Sequence, residues 1–536
     1  MESNSRSYDK DKNLVKRRTK QHKSYTIDYM NYIPEAILFH ILSFLPHREL
    51  IVMSLLSKRW KGIVASFFSV IPQNLNFNEV EMTRSILRKD IQLLQLPLTG
   101  NFASTRNYLQ SLYQLIHAAR EKSIQFVDQS FLLHSGCTIN NLLLSFQFEA
   151  HEVFGYTRKI NSWVKFAFEN EIRELFLDFS AGQFYEASDL TELYELPHGS
   201  FAPKVLETLI LNFCNFRSSS FQVFESLQRL SLVQVEIFDS SLAELASKSP
   251  LLQDVNLENC IIPENFLVSD EDITIKKLSV VNCETHVWPT YSIDLSTPCL
   301  LMLTILGSYF MTTHIRNATQ LLDVFVGISE VHADHVQGEA LGSLMTGSMH
   351  CQSLTLTTWS IQVLPTRNNS LERLPNAFNN LKHLCLAVGL AKQEFPGISC
   401  LLRSSPNLET LTLHMHEPEI VDWEEFQEDV LDIFDFEEQT YWETQNWIFN
   451  CLHNSLKEVV IHGFLGSINE MRLLQFLLEK ARVLERISII SNLAKLILAG
   501  DPQQQIEHMQ FQCQMFQMLL NFPKASTQAR ITLYRS

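Results

Sequence analysis

One pattern recurs along this chain and limits what it can fold into: a short apolar strand of the form L-x-L. It stands at Leu75-Asn76-Phe77, Leu142-Leu143-Leu144, Leu175-Phe176-Leu177, Leu209-Ile210-Leu211, Leu230-Ser231-Leu232, Val255-Asn256-Leu257 and Leu278-Ser279-Val280. It continues at Leu303-Thr304-Ile305, Val324-Phe325-Val326, Leu354-Thr355-Leu356, Leu384-Cys385-Leu386, Leu411-Thr412-Leu413, Val459-Val460-Ile461 and Ile487-Ser488-Ile489. From Leu142 onward the spacing is roughly 21 to 34 residues, with one interval of about 48, the range in which repeats stack into solenoids. A period of two turns the flanking residues inward and the middle residue outward. A single unit cannot bury its own apolar face, but stacked neighbours can, so the array shares one core. An apolar share of 46% over 536 residues is enough to fill it.

The strands are expected usually to follow a helical stretch. Leu242, Leu245 and Ala246 precede Leu251, and Ile398, Leu401 and Leu402 precede Leu408, at helical spacing. Three repeats add a cysteine at one offset: Leu209-x-Leu211-x-x-Cys214, Val255-x-Leu257-x-x-Cys260 and Leu278-x-Val280-x-x-Cys283. This resembles the Asn/Cys position of leucine-rich repeats, where a small residue faces the interior as the strand turns; a buried small hydrophobe is the expected role. An acidic insertion interrupts the repeats near 416–447, and no Lys or Arg occurs between Arg403 and Lys457. It reads as a solvated loop or as a surface for a basic partner.

Before the repeats lies a different kind of segment, Ile33-Pro34-Glu35-Ala36-Ile37-Leu38-Phe39-His40-Ile41-Leu42-Ser43-Phe44-Leu45-Pro46. Pro34 suits the first turn of a helix and Pro46 closes one. A helix apolar nearly all round must be covered nearly all round. Helices expected over His47–Leu56 and from Ser57 to about Phe68 cover part of it, with Ser57 as cap and Trp60 and Ile63 closing on the first two. A module of some 40 residues buries too little surface to hide such a helix unaided, so a partner surface is implied.

The order Ile33-Pro34, Ile37-Leu38, Ile41-Leu42, Leu45-Pro46, Leu50, Ser54, Leu55-Ser57-Lys58-Arg59-Trp60 resembles the F-box. The resemblance implies a three-helix module docking on a Skp-type adaptor, and through it on a cullin, with Ile33, Pro34, Ile37, Leu38, Ile41, Leu42, Leu45 and Leu50 at the contact. Near the other end, Tyr441-Trp442-Glu443, Leu456 through Phe464 and Asn469 through Ile489 resemble the FBD module of plant F-box proteins. The chain as a whole resembles the plant F-box/FBD/leucine-rich-repeat proteins. The expected fold is therefore α/β: an N-terminal three-helix F-box, then a curved leucine-rich-repeat solenoid with a C-terminal FBD-like cap. Its expected parts are a disordered basic tail (1–24), the F-box (25–70), the solenoid (71–450) and the FBD-like repeats and cap (451–536).

The tail carries Lys16-Arg17-Arg18-Thr19-Lys20, either a nuclear-import cluster or a plain solvated run. With 43 Lys and Arg against 59 Asp and Glu, the net charge of −16 argues against a nucleic-acid partner. No apolar run is long enough to span a membrane. The ten cysteines are dispersed without a metal-binding spacing, which suits a reducing nuclear or cytoplasmic setting. His332, Asp334 and His335 form the densest His/Asp cluster, but no third ligand type or helix supports a metal there. Hydrolase, NTPase and dinucleotide motifs are absent, so no catalytic residue, cofactor or metal is expected.

The resemblance implies the substrate-recognition subunit of a Skp–cullin–F-box E3 ubiquitin ligase, itself non-catalytic. A scaffold that uses no cullin, and a co-receptor that encloses a small molecule, are the alternatives. The outward strand positions Ile210, Asn256 and Phe325 are the candidates for target binding.

Overall fold

The computed structural model describes residues 33–70, 73–91, 102–134, 139–146, 153–180, 193–196, 204–217, 223–238, 241–263, 265–269, 274–286, 292–307, 312–328, 335–364, 374, 376–418, 434–445, 447–491 and 514–535. The tail, the middle of the acidic insertion, and His332 with Asp334 lie outside them. The chain forms two compact units, Met1–Ile71 and Pro72–Ser536, taken separately below.

The first unit is three helices: α1 (Glu35–Leu42), α2 (His47–Leu56) and α3 (Lys58–Val70). Both prolines stand one position before a helix, where the missing N–H costs nothing. The Pro34 carbonyl accepts from the Leu38 amide at 3.1 Å, and the Pro46 carbonyl from the Leu50 amide at 3.3 Å. Ser57 caps α3 as expected, its hydroxyl accepting from the Trp60 amide at 3.2 Å. The core is Leu38 and Leu42 from α1, Leu50 and Ile51 from α2, and Ile63, Val64, Phe67 and Phe68 from α3. Phe39 closes edge-on over Phe67, centroids 5.7 Å apart. Trp60 is only half-buried, so Ile63 and the two phenylalanines do the closing expected of it.

The strands of the second unit are β1 (Gln73–Asn78), β2 (Ile139–Ser145), β3 (Glu174–Asp178), β4 (Tyr194–Glu195), β5 (Thr208–Asn212), β6 (Cys214–Phe216) and β7 (Arg229–Val233). Next come β8 (Glu236–Ile237), β9 (Asp254–Glu258), β10 (Asn265–Ser269), β11 (Lys277–Val281), β12 (Ser292–Ser296), β13 (Met302–Gly307) and β14 (Thr312–Arg316). The last are β15 (Asp323–Ile328), β16 (Ser353–Thr357), β17 (His383–Val388), β18 (Thr410–Met415), β19 (Glu458–His462), β20 (Arg486–Ser491) and β21 (Arg530–Arg535). Fifteen of them make one sheet in the order β1-β2-β3-β5-β7-β9-β11-β13-β15-β16-β17-β18-β19-β20-β21.

Every L-x-L triplet lies on a strand of this sheet, and the triplets pair with each other without a slip. Leu142 is opposite Leu175, Leu175 opposite Leu209, and Leu209 opposite Leu230. The same column runs on to Ile487 and Ile531. A slip of one residue would turn a whole row of core leucines outward, so the pattern itself holds the register. The inward residues join one hydrophobic core along the array. The pairing continues through β21, so β19, β20 and β21 extend the same sheet.

Helices back this core where expected and strands do so elsewhere. They are α4 (Glu79–Ile91), α5 (Phe102–Leu133), α6 (Val153–Glu169), α7 (Ser241–Ser247), α8 (His335–Gly347), α9 (Thr358–Val363), α10 (Phe395–Ser404), α11 (Tyr441–Thr444), α12 (Asn450–Asn454) and α13 (Ile468–Lys480). Leu242 and Leu245 of α7, and Ile398, Leu401 and Leu402 of α10, are buried. Two three-stranded parallel sheets, β4-β6-β8 and β10-β12-β14, replace helices in the middle repeats. These middle repeats are the departure from the usual helical stretch before each strand. Phe266 and Val268, then Ile293 and Leu295, are inward at a spacing of two, and their buried side chains fill the place of a helix face.

A left-handed residue follows several strands: Phe213 (φ 59°), Gln234 (φ 52°), Asn259 (φ 51°) and Asn282 (φ 49°). Each amide donates forward to the next repeat, Gln234 to the Glu258 carbonyl at 2.8 Å and Asn259 to that of Val281 at 2.8 Å. The cysteine after this corner is buried, as expected. The Cys260 thiol donates to the Leu232 carbonyl at 3.2 Å in the preceding repeat.

Candidate functional site

The first surface belongs to α1. Its apolar residues form two adjacent stripes, each at a spacing of four, which places the members of a stripe on one face. Leu38 and Leu42 point into the unit, and Leu42 is 1% exposed. Ile37 (52% exposed) and Ile41 (44%) point out, joined by Phe44 (74%) beyond the helix end. Helix α2 divides likewise, with Leu50 and Ile51 inside and Val52, Leu55 and Leu56 exposed. Of the adaptor-contact candidates, Pro34, Ile37 and Ile41 are therefore exposed, and Ile33 and Leu45 half-buried. Leu38, Leu42 and Leu50 are not at the surface; they are the core of a small unit that has little else to fill it. Phe44, Val52, Leu55 and Leu56, not among those candidates, are exposed as well; apolarity all round a helix does not say which stripe its own neighbours take.

The second surface is the outward face of the large sheet. Ile210, Asn256 and Phe325 all stand on it, half-buried, but apart. Asn256 is opposite Ser231 and donates to its hydroxyl at 3.1 Å. Phe325 is flanked by Thr304 and Thr355. Ile210 alone has apolar company, for the register sets it opposite Phe176, and Phe176 opposite Leu143. These three half-buried side chains form one strip across β2, β3 and β5, ended by Asn76 on β1 and Ser231 on β7.

Polar groups border this strip on both sides. On one, Arg229 reaches the Glu174 carboxylate at 3.3 Å and Arg173 that of Glu207 at 3.1 Å. On the other, the Asp178 carboxylate accepts from the Ser145 hydroxyl at 3.0 Å, the Asn212 amide at 3.0 Å and the Ser180 hydroxyl at 2.6 Å. At the far end of the sheet a cleft of about 990 Å³ is lined by Lys457, Glu458, Arg486, Arg530 and Tyr534. There the ion pairs Lys457–Glu409 and Arg486–Glu458 use most of the charge.

The titratable groups buried in the array serve its structure. Glu394 is fully buried; its carboxylate accepts from the Ala391 amide at 2.8 Å, the Gly389 amide at 3.3 Å and the Thr358 hydroxyl at 2.5 Å. Glu470 repeats the arrangement two strands further along the array, accepting from the Ser467 amide at 2.6 Å and the Leu465 amide at 3.2 Å. Burial raises the pKa of both, against the pull of these donors. Burial also pushes the Cys214 thiol well above its ordinary range and Cys451 up to about 12, so neither is poised as a thiolate. Among the described residues no group of three or more His, Cys, Asp and Glu is placed to hold a metal ion. Nor is any described helix long and apolar enough to cross a membrane.

A three-helix unit with an uncovered apolar stripe, and a register-locked array of leucine strands, together define the class: an F-box protein with leucine-rich repeats. The F-box domain model matches residues 31–70, and the model described as "At1g61320/AtMIF1, LRR domain" matches residues 132–530. The chain belongs to this F-box/LRR-repeat family. It is similar to the Arabidopsis thaliana F-box/LRR-repeat protein At3g58930, 24% identical over 86% of this chain and 90% of that protein. It is also similar to the F-box protein At3g62230 of the same plant, 23% identical over 86% of this chain and 91% of the relative. A third relative, At4g03220, whose name joins F-box, FBD and LRR-repeat, is 24% identical over 87% of this chain and 89% of its own length. Proteins of this family are in general adaptors rather than enzymes.

Proposed function

We propose that this chain is the substrate-recognition subunit of a Skp–cullin–F-box E3 ubiquitin ligase, with no catalytic group of its own. The observation that carries this reading is the outer stripe of α1, Ile37 and Ile41 with Phe44, which the unit leaves in water. Fully burying one such side chain gains about 1.5–3 kcal/mol, so several together can drive docking on an adaptor. Pro34, Ile37, Ile41, Phe44, Leu55 and Leu56 are the proposed contact. The adaptor joins a cullin, and the repeats hold a target protein near the charged ubiquitin carrier. Holding the two together makes the transfer effectively intramolecular, which is the whole contribution asked of this subunit. The last repeats, from Glu458 on, act as the FBD-like cap. No cofactor, nucleic acid or membrane enters the scheme, and the work is done in the nucleus or cytoplasm.

The test is calorimetric titration of the full chain with a purified Skp-type adaptor. Replacing Ile37 and Ile41 together by Asp should weaken binding by about 100-fold or more, roughly 3 kcal/mol, with the fold intact. Binding at wild-type strength by that variant refutes the docking role. Adaptor binding without recovery of a cullin from the reconstituted mixture would leave a scaffold and not a ligase subunit.

A further inference from the structure

The strip of Leu143, Phe176 and Ile210 and the carboxylate of Asp178 lie side by side on the outward face of the sheet. Three adjacent outward positions in register carry large apolar side chains here, whereas the next strands on either side offer Asn76 and Ser231. Strands lie about 4.8 Å apart, so the strip is about 10 Å across, the span of two or three side chains of an extended segment. Packing within the sheet does not need these groups, since the core leucines of the same strands already face inward.

Asp178 stands two residues from Phe176 on the same strand, hence on the same face and about 6.6 Å away. The neighbouring carboxylates Glu174 and Glu207 are matched by arginines. Asp178 differs: Ser145, Ser180 and Asn212 donate to it, all neutral, and among the described residues it has no basic partner. Four hydrogen bonds from these three residues, the Ser180 amide adding one at 3.0 Å, fix its position in advance but leave its charge unmatched. A cation arriving beside an already seated apolar group would complete it with a charge-assisted contact.

We propose that this strip is where the target is read, and that the occupant is an extended peptide segment pairing large apolar side chains with an adjacent Lys or Arg. This rests on the target-receptor reading above and names the chemistry of its site. The net charge of −16 favours the same partner at longer range.

The experiment is an array of short synthetic peptides, in which aromatic or aliphatic and Lys or Arg positions are varied against Ser and Glu, probed with the full chain bound to its adaptor. Apolar-basic peptides should be retained in preference to apolar-acidic ones. Phe176→Ser or Ile210→Ser should weaken their binding by about 10-fold or more, as expected of central apolar anchors. Asp178→Asn, nearly isosteric, should remove the preference for a basic residue and flatten the salt dependence, while apolar retention persists. A thermal melt of each variant separates lost contact from lost fold. Retention of no peptide, equal retention of basic and acidic peptides, or binding unchanged in well-folded Phe176→Ser and Asp178→Asn would each overturn the proposal. In the last case the receptor reading survives with its site elsewhere on the array. Loss of adaptor docking alone would instead sink the ligase-subunit reading and leave peptide binding by this strip standing.

Discussion

Ile41 of α1 and Ile210 of β5 face the same problem, an aliphatic side chain next in sequence to a fully buried leucine, and they meet different outcomes. Leu42 and Leu209 are inside their units. Ile41 is left 44% exposed, while Ile210 is half-buried between Phe176 and Ser231. In a parallel sheet each outward residue gains a registered neighbour on both sides, so even the solvent face is partly sheltered. A three-helix unit has no such neighbours, and its second stripe stays in water. Apolar residues on the outside thus mean different things in the two units: a whole uncovered side in one, a bounded strip in the other.

The largest expected effect tests that division directly. Leu42→Asp places an unpaired charge in the core of the first unit and should cost on the order of 3–5 kcal/mol, enough to unfold it. Hydrogen exchange across residues 33–70 should become fast while the repeats stay protected. Ile41→Asp, one residue away, should leave exchange unchanged. Equal effects from the two would break the comparison, because α1 would then have no inside and outside.

A smaller effect sharpens what holds the repeats. Glu394→Gln keeps the size of the side chain but offers one acceptor where two oxygens now serve Ala391, Gly389 and Thr358. Leaving a buried donor unmade costs about 1–3 kcal/mol, which should appear as a lower melting temperature at neutral pH. The pH dependence carries its own sign. Burial raises the Glu394 pKa above its ordinary 4.5, so the folded state holds the proton more tightly than the unfolded chain. That contribution is full below the ordinary value and is lost as pH rises through the folded one. The Gln variant should lose this decline; a profile parallel to wild type would mean that Glu394 does not titrate in the fold.

The smallest effect concerns the corners. Gln234→Asn puts a residue tolerant of left-handed geometry at φ 52° and should stabilise by about 0.5–1 kcal/mol, with Asn259→Gln losing a similar amount. Denaturant midpoints of the two variants check this; shifts in the same direction would remove the corner as a determinant of repeat stability.

Much of the fold was legible because leucines at a spacing of two state both the strand and its buried face. Helix α2 occupies His47–Leu56 as read, and each triplet became a strand. The middle repeats were misread because Phe266-x-Val268 and Ile293-x-Leu295 fall between the triplets, and short strands carry too few residues to declare a period. The sites were less legible than the fold. Residues Ile37 and Leu38 look alike until the packing of α3 decides which is inside. Likewise, Leu143, Phe176 and Ile210 are more than 30 residues apart in sequence for each pair, roughly one repeat, and only register makes them neighbours.

The forward bond at each corner also governs how a chain like this can be inherited. The amide of Asn259 is satisfied by Val281, and that of Asn282 by the Leu306 carbonyl at 2.7 Å, each one repeat ahead. Duplicating or excising a whole repeat hands every corner an equivalent new partner. Cutting within a repeat takes such an amide from its partner and shifts the leucine register at once. Such a chain is expected to change length in whole units, each bringing its own corner and its own outward residues.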